Sequence, residues 1–444
     1  AGRSPAGARL MAAFLGQRRT VVFALALVAF IAGLITGRDL LFTLAYLLGL
    51  LLILSFVWAW INLNSVHLSR LTRVRRTQVG RPLEERFTVR NTTIVPKLWL
   101  EVRDYSDLPY HYSSHVVNNL GSRQSYSWRV TTICQQRGRY QLGPIRLRTS
   151  DPFGLFPMER DLTPTSNVVV FPMTFDIHQF ALPVGILPGG DALRRRTHYV
   201  TTNASSVRDY EPGDSFNRIH WKSTARRDRL VVKEFELDPL ADIWVVPDMS
   251  VFGHVMPRKQ ASAPPPTLGD IPGWLKMQEF RLPESTEEYT VTIAASVAQF
   301  FLRRDRAVGM LTYGQSNEIL QPDRGERQFN RILETLAVMR AEGEVPLQDM
   351  LYAETHLFPR GTTLIVVTPY GREDWSIAAR QLSRRGLRVV TILVNPASFS
   401  GTRSTETLYH LLRAAGQVVY TVNNGDDLTV ALSRGATQSG YFAV

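Results

Sequence analysis

The 444-residue chain holds one cysteine, Cys134, so it can form no internal disulfide and no cysteine-rich zinc site. Common catalytic signatures are also missing. No Gly-rich phosphate loop follows a strand-like run, and no Ser, Thr or Cys stands in a recognisable nucleophile context. Acids are scarce at one end. Residues 1–80 contain nine arginines, no lysine and one acid, Asp39, so this segment alone carries +8 of the chain's +12. A nucleic-acid-binding domain would spread its excess over a folded face. Here the excess hugs an apolar region, which is the pattern of membrane topology, and nucleic-acid binding is the weaker alternative. Hydrophobic residues at 44% and charged residues at 20% are ordinary for a folded protein. The length calls for more than one domain at about 100–200 residues each.

Charge is absent altogether from residues 20–36, "TVVFALALVAFIAGLIT", and 40–61, "LLFTLAYLLGLLLILSFVWAWI". Runs of about 20 apolar residues cross the hydrocarbon core of a bilayer. Only "GRD" separates them, so the pair is expected to form a transmembrane hairpin over 20–61, preceded by a tail at 1–19. Arg18 and Arg19 precede it; Arg70, Arg73, Arg75 and Arg76 follow it; Arg38 stands alone in the turn. The positive-inside rule then places both termini and the soluble domains in the cytoplasm, with Trp58 and Trp60 in an interfacial belt. A cleaved signal peptide is the rival for the first span, and the second span so close behind it argues against that.

Residues 66–175 change to strand periodicity. Alternating runs at 86–91, 98–104, 125–132, 138–149 and 167–172, punctuated by Gly, Pro and Asn, predict an antiparallel β-sandwich of immunoglobulin-like type. Little chemistry is visible in it. Cys134 reads as a small buried side chain, and His111 and His115 share no helical face that would hold a metal. "DPFGLF" (151–156) reads as a corner pinned by Phe153, Leu155 and Phe156.

Residues 241–444 alternate buried strands (243–247, 307–313, 362–369, 387–394, 417–422) with helices (285–304, 325–341, 374–384, 405–415, 427–434). Ser285 and Glu288 form a capping box for the first helix, and Gly416 closes the fourth. The pattern predicts a doubly wound α/β domain whose ligands bind beyond the carboxyl ends of the strands. At the first such end, Asp248-Met249-Ser250-Val251-Phe252 resembles the D-x-S-x-S loop of von Willebrand factor A-like domains. There a Thr and a second Asp complete a magnesium site. Here Phe252 replaces the third oxygen, and the later strand ends in Thr368-Pro369-Tyr370, with Asp374 further on. Asp248 and Ser250 therefore form a degenerate site at which magnesium is not expected, and Asp248 reads as a turn cap. Residues 253–285 contain six prolines and read as an insertion, either a docking segment or a surface excursion.

Between the two domains, residues 176–240 form a linker around "VRDYEPGDSFNRIHWKSTARRDRLVVKEFE" (207–236). Pro212 and Gly213 make a turn, and Asp214 is placed to cap a helix over 215–227. A strand over 229–237 is expected to make a hairpin with the first α/β strand. The stretch admits two chemistries. His220 could act as a general base oriented by Asp209 or Asp214, giving a hydrolase. Alternatively its acids and bases form a seam of charge-assisted hydrogen bonds that fixes the interdomain angle or docks a partner.

This stretch, with "QQRGRYQLGPIRLRTSDPFGLF" (135–156), "VVVFPM" (168–173) and "PDMS" (247–250), resembles the bacterial domain-of-unknown-function 58 family. The motif positions are Arg208, Asp209, Tyr210, Gly213, Asp214, Arg218, Ile219, His220, Trp221, Lys222, Ala225 and Arg226. The resemblance implies a membrane-tethered protein with a β-rich domain and a von Willebrand factor A-like domain; together with the hairpin and the missing catalytic constellation it leads to the expectation of a non-enzymatic scaffold in the bacterial inner membrane. It also implies company: a MoxR-type AAA+ ATPase and a transglutaminase-like membrane protein, working in envelope assembly or maturation. The family supplies no catalytic residues and no cofactor.

Overall fold

The computed structural model describes residues 5–162, 166–182, 204–210, 219–235, 242–255, 282–401 and 403–438. Two compact units divide the chain: Ala1–Met173 groups with Leu333–Val338 in the first, and the second holds the rest of the described residues from Thr174 on.

The first unit opens with α1 (Pro5–Thr36) and α2 (Asp39–Asn64), which contain two stretches, Arg18–Thr36 and Asp39–Asn64, long and apolar enough to cross a membrane. Gly37, at φ +67°, makes the reversal between them. Ala29 of α1 and Ala45 of α2 are buried, and near the turn Phe30 meets Phe42 edge-on at 6.0 Å. The far end of α2 is tied to the adjoining β-rich region through a lysine. Lys97, 1% exposed, donates to Ser65 Oγ at 2.7 Å, to Thr93 Oγ1 at 3.2 Å and toward the Ile61 carbonyl at 3.4 Å. A cation there also faces the negative end of the helix dipole.

Then come β1 (Val66–Thr72), β2 (Arg76–Gln78), β3 (Pro82–Asn91), β4 (Lys97–Asp104), β5 (His115–Leu120), β6 (Ser125–Ile133), β7 (Gly138–Leu142), β8 (Ile145–Thr149), β9 (Met158–Leu162) and β10 (Ser166–Phe171). They form three sheets, ordered β1-β3-β6, β5-β4-β8-β9 and β2-β10-β7. Inward alternation gives the first two a common core of Phe87, Val89, Leu100, Val102, Ile145 and Leu147, which Leu63 of α2 joins. Antiparallel pairing was expected throughout; β2 and β10 pair in parallel instead. Cys134 is fully buried with Leu83, Leu142 and Val168, and burial pushes its thiol up to about 11. The 151–156 corner differs from its sequence reading. Leu155 is buried, but Phe153 is 59% exposed and pins nothing.

Beyond Met173 come β11 (Ala204–Asp209), α3 (Trp221–Arg227), β12 (Val231–Phe235), β13 (Ile243–Pro247), α4 (Thr286–Leu302), β14 (Val308–Tyr313), β15 (Asn317–Asp323), α5 (Gly325–Val338), α6 (Leu347–Ala353), β16 (Thr363–Thr368), α7 (Asp374–Arg384), β17 (Arg388–Val394), α8 (Glu406–Ala414), β18 (Val418–Val422) and α9 (Leu428–Gln438). Six strands make one mixed sheet, β15-β14-β13-β16-β17-β18, parallel except for the edge strand β15, which sequence periodicity missed. Every residue of β13 and β16 is buried, as expected of strands covered on both faces. Trp375 and Leu382 of α7, Leu408 and Leu412 of α8, and Met350 and Leu351 of α6 pack with Trp244, Val246, Leu364 and Val366. Helix α4 is buried along nearly its whole length. The segment at 174–182 covers it: Phe175 N donates to Ser296 Oγ at 2.9 Å, and Phe180 lies against Phe300, Phe301 and Tyr420.

Three local expectations are corrected. Strand β12 pairs with β11, not with β13, because both edges of β13 are taken by β14 and β16. The helix expected over 215–227 begins at Trp221, because Ile219 is extended and bridges Val232. Ser285 is the N-cap of α4, yet its side chain makes no capping bond, and Glu288 faces Arg340 at 3.8 Å rather than closing a box. The 253–285 insertion lies mostly outside the described residues.

Candidate functional site

Strand β13 delivers Asp248 to the carboxyl edge of the sheet, and β16 delivers Thr368 beside it. Asp248 Oδ1 accepts from Ser250 N at 3.0 Å and Ser250 Oγ at 2.7 Å; Oδ2 accepts from Thr368 Oγ1 at 2.6 Å. Thr368 Oγ1 in turn accepts from Tyr370 N at 2.9 Å. All three side chains are almost fully buried, at 2%, 2% and 0% exposure for Asp248, Ser250 and Thr368. The Asp248 carbonyl accepts from His254 Nε2 at 2.7 Å, and His254 Nδ1 lies 3.2 Å from Thr286 Oγ1 at the start of α4. Gly343 closes the far side: its N–H donates to Met249 O at 3.0 Å, and its carbonyl accepts from Val251 N at 2.9 Å. Val251 and Phe252 stand at the rim, about half exposed.

The donor set does not fit a tightly held magnesium ion. A hard divalent cation takes around six oxygens. Here one carboxylate and two hydroxyls converge, already bonded to each other; Phe252 and Pro369 bring no side-chain oxygen, and Asp374 pairs with Arg372 at 3.5 Å. Among the described residues no cluster of three or more His, Cys, Asp or Glu side chains could hold a metal. The sequence singled out Asp248 and Ser250 and put Thr368 at the later strand end without pairing it with Asp248, and it missed His254 altogether. His254, six residues past the Asp, was the available signal.

The sequence motif falls on the β11–β12 hairpin and α3. Arg208 lies in β11, where its backbone pairs with Val232. Asp209 is exposed and bridges Arg229 at 2.9 Å, and Tyr210 N donates to the Leu230 carbonyl at 2.9 Å. Ile219 is buried. His220 is the N-cap of α3: its Nδ1 takes the Ser223 hydroxyl at 2.6 Å and the Ser223 N–H at 3.3 Å. That geometry uses the imidazole to satisfy a helix end and turns its Nδ1 away from acid partnership. On α3, Trp221 is 67% exposed, and Lys222, Ala225 and Arg226 are exposed with it, while Ser223 and Thr224 are half-buried. Gly213, Asp214 and Arg218 lie outside the described residues. Ser223 is the side-chain partner of His220 and serves the cap, and the helix leaves Trp221, Lys222 and Arg226 exposed.

A third constellation, in the first unit, went unnoticed in the sequence. Arg70 of β1 bridges Glu85 of β3 at 2.8 Å and Asp104 of β4 at 3.1 Å, and His111 Nε2 stands 3.2 Å from both carboxylates. All four side chains are at most 5% exposed. Burial alone would raise the Asp104 pKa, but donors from His111 and Ser113, the Arg70 charge and Ser106 outweigh it and bring it down to about 2. Arg70 completes the shell by lying over the Phe87 ring at 5.1 Å. The signal was Glu85 itself, an acid on the same strand face as Leu83, Phe87 and Val89.

These features define a multidomain α/β chain with two apolar N-terminal helices, several β-sheets and a mixed sheet. Residues 206–262 match the family model described as "Protein of unknown function DUF58", which links the chain to that family through this segment. The "Uncharacterized protein YeaD" of Bacillus subtilis (strain 168) is 23% identical over 245 residues, 54% of this chain and 52% of that protein. The chain thus matches about half the length of this curated relative. Among solved structures, the conserved hypothetical protein BatB from Bacteroides thetaiotaomicron aligns at 12% identity with a TM-score of 0.29, covering 45% of this chain and 98% of that one. The CARDB domain of the PF1109 protein from Pyrococcus furiosus aligns at 18% identity with a TM-score of 0.18, covering 24% and 91%.

Proposed function

We propose that this protein is a non-enzymatic, membrane-anchored scaffold that docks a protein partner through the exposed face of α3. The observation that carries the reading is Trp221: a large aromatic 67% exposed on the motif helix, flanked by Lys222 and Arg226, with Arg229 also exposed. Trp and Arg dominate the energetics of protein interfaces, and cations around them select an acidic partner surface. In the fuller form of the reading, the two apolar helices are a transmembrane hairpin and the soluble units face the cytoplasm. The first unit is an immunoglobulin-like sandwich, and the second is a von Willebrand factor A-like domain that has exchanged its ion for internal hydrogen bonds. The partner is an AAA+ ATPase of MoxR type acting on envelope complexes, with a transglutaminase-like membrane protein in the same assembly.

The test places a photo-crosslinking residue at position 221 in the full-length, membrane-borne protein. A single crosslinked partner with an acidic face, lost on Arg226→Glu, supports the scaffold. Crosslinks to lipid alone, or crosslinks indifferent to Arg226→Glu, refute it. A C-terminal reporter active only outside the cytoplasm would reverse the topology and exclude a cytosolic ATPase.

A further inference from the structure

We infer that the hairpin and the 151–156 corner together hold one anionic phospholipid. The acyl chain would lie in the groove between α1 and α2, and the phosphate would meet Arg19. The inference rests on the membrane-anchor reading and goes beyond it by assigning a specific lipid site.

The groove measures about 730 Å³, within the ~300–1,000 Å³ typical of sites that bury a small molecule. Its walls are Phe23 of α1 and Gly49, Leu52, Ile53 and Phe56 of α2; Arg19 and Thr20 form one end, and Phe156 caps it. On α2 the lining residues fall at i, i+3, i+4 and i+7, a single helical face. At Gly49 the groove has no side chain, and a Cβ built there would meet open space with nothing within 4 Å.

Polarity runs along the groove in the direction a phospholipid needs. Phe156 meets Phe56 edge-on at 5.6 Å, and the Arg19 guanidinium lies 5.9 Å from the same Phe156 ring. Arg19 and Phe56 therefore stand at one level of the antiparallel pair. Arg19 is seventeen residues from the end of α1 at Thr36, about 25 Å at 1.5 Å per residue, so it sits near one face of a hydrocarbon core ~30 Å thick. From that level the groove runs from Phe56 back to Gly49, about 10 Å toward the bilayer interior. A cation at headgroup depth above an uncharged, hydrocarbon-lined recess is complementary to a phosphate carrying an acyl chain.

The corner is built to stay there. Buried Asp151 accepts from Phe153 N at 3.0 Å and Phe156 N at 2.7 Å, which fixes the loop that sets Phe156 over the groove. The same loop leaves Phe153 at 59% exposure, the disposition of an aromatic at a membrane interface.

The experiment reconstitutes the full chain in nanodiscs of phosphatidylcholine and phosphatidylglycerol in equal amounts. The protein is then extracted in mild detergent, and retained lipid is counted by native mass spectrometry. Wild type should retain one lipid, with phosphatidylglycerol favoured by about tenfold, the worth of one charge-assisted contact. Arg19→Gln should keep a lipid but lose the preference, and Gly49→Leu, which fills the recess, should lose the lipid. Vesicle flotation of the same proteins separates the two readings. Chains that float but show no selectivity, or Gly49→Leu that retains lipid like wild type, overturn the lipid site and leave the anchor standing. A wild-type chain that fails to float overturns both.

Discussion

Replacing Thr368 by valine is a demanding test of the strand-end site. Valine has nearly the shape of threonine, so the change removes a hydroxyl without opening a cavity. It deletes a bond to Asp248 Oδ2 at 2.6 Å and one from Tyr370 N at 2.9 Å, at a position with no solvent exposure. A buried polar group left without a partner costs ~1–3 kcal/mol, more for a charged acceptor. Two such groups, less the small gain from a buried methyl, put the cost at about 3 kcal/mol. A chain with two compact units and apolar helices will not unfold in one step, so a single melting temperature is the wrong readout. Hydrogen exchange resolved to peptides spanning β13 and β16 reports the local opening directly. Protection there should fall roughly a hundredfold in Thr368→Val, while peptides of β3 and β4 stay unchanged. Thr368→Ser, which keeps the hydroxyl, should recover most of it. Protection within about threefold of wild type in Thr368→Val would mean that the Asp248–Thr368 bond does not hold the strand ends, and the self-satisfied site would have to be abandoned.

Other outcomes rest on the same geometry. Saturating magnesium should leave exchange at 248–255 unaltered, because the donor set offers too few free oxygens; marked protection on adding the ion would contradict that reading. Gly343→Ala should destabilise the same edge by about 1–3 kcal/mol by overpacking, since its Cβ would strike the Tyr313 carbonyl and stand 3.0 Å from that of Met249. Asp104 has a folded pKa depressed from 3.8 to about 2, so its stabilising contribution is complete above pH 3.8 and is lost as pH falls through 2. The contribution is about 2 kcal/mol, and Asp104→Asn should flatten the acid limb of the first unit's stability in hydrogen exchange against pH. Lys97 shows the opposite slope. Burial lowers its pKa from 10.5 to about 8, so between those values the unfolded chain binds a proton that the folded chain does not. Stability of the first unit should therefore rise with pH across that window, and Lys97→Met should abolish the rise.

Much of the architecture was legible because its periodicities are strong. The uncharged runs became α1 and α2, and the apolar runs at 243–247, 362–369 and 387–394 became central strands buried on both faces. Edges and junctions were harder. Strand β15 alternates half-buried with exposed residues and has no apolar run to announce it. Whether β12 joins β11 or β13 depends on which strand edges remain open, and that is settled only once the sheet is assembled. In the site, Asp248-x-Ser250 could be read locally because its two members are neighbours in the chain. Thr368 lies 120 residues away, and only strand pairing in register brings it to 2.6 Å. The Arg70–Glu85–Asp104–His111 cluster escaped notice for the same reason: three strands and a loop each contribute one group, and none is unusual alone.

By itself the order of residues determined where the chain is apolar, where it turns and which period each segment follows, because those properties depend on neighbours a few positions apart. Partnership among the polar groups was decided by the tertiary structure. Whether Asp248 waits for an ion or is already satisfied, and whether His220 serves a reaction or a helix end, turns on distances of about 3 Å between atoms set by strand register and capping geometry. Local sequence carries hydrophobic pattern; a hydrogen bond exists only once both of its ends have been placed.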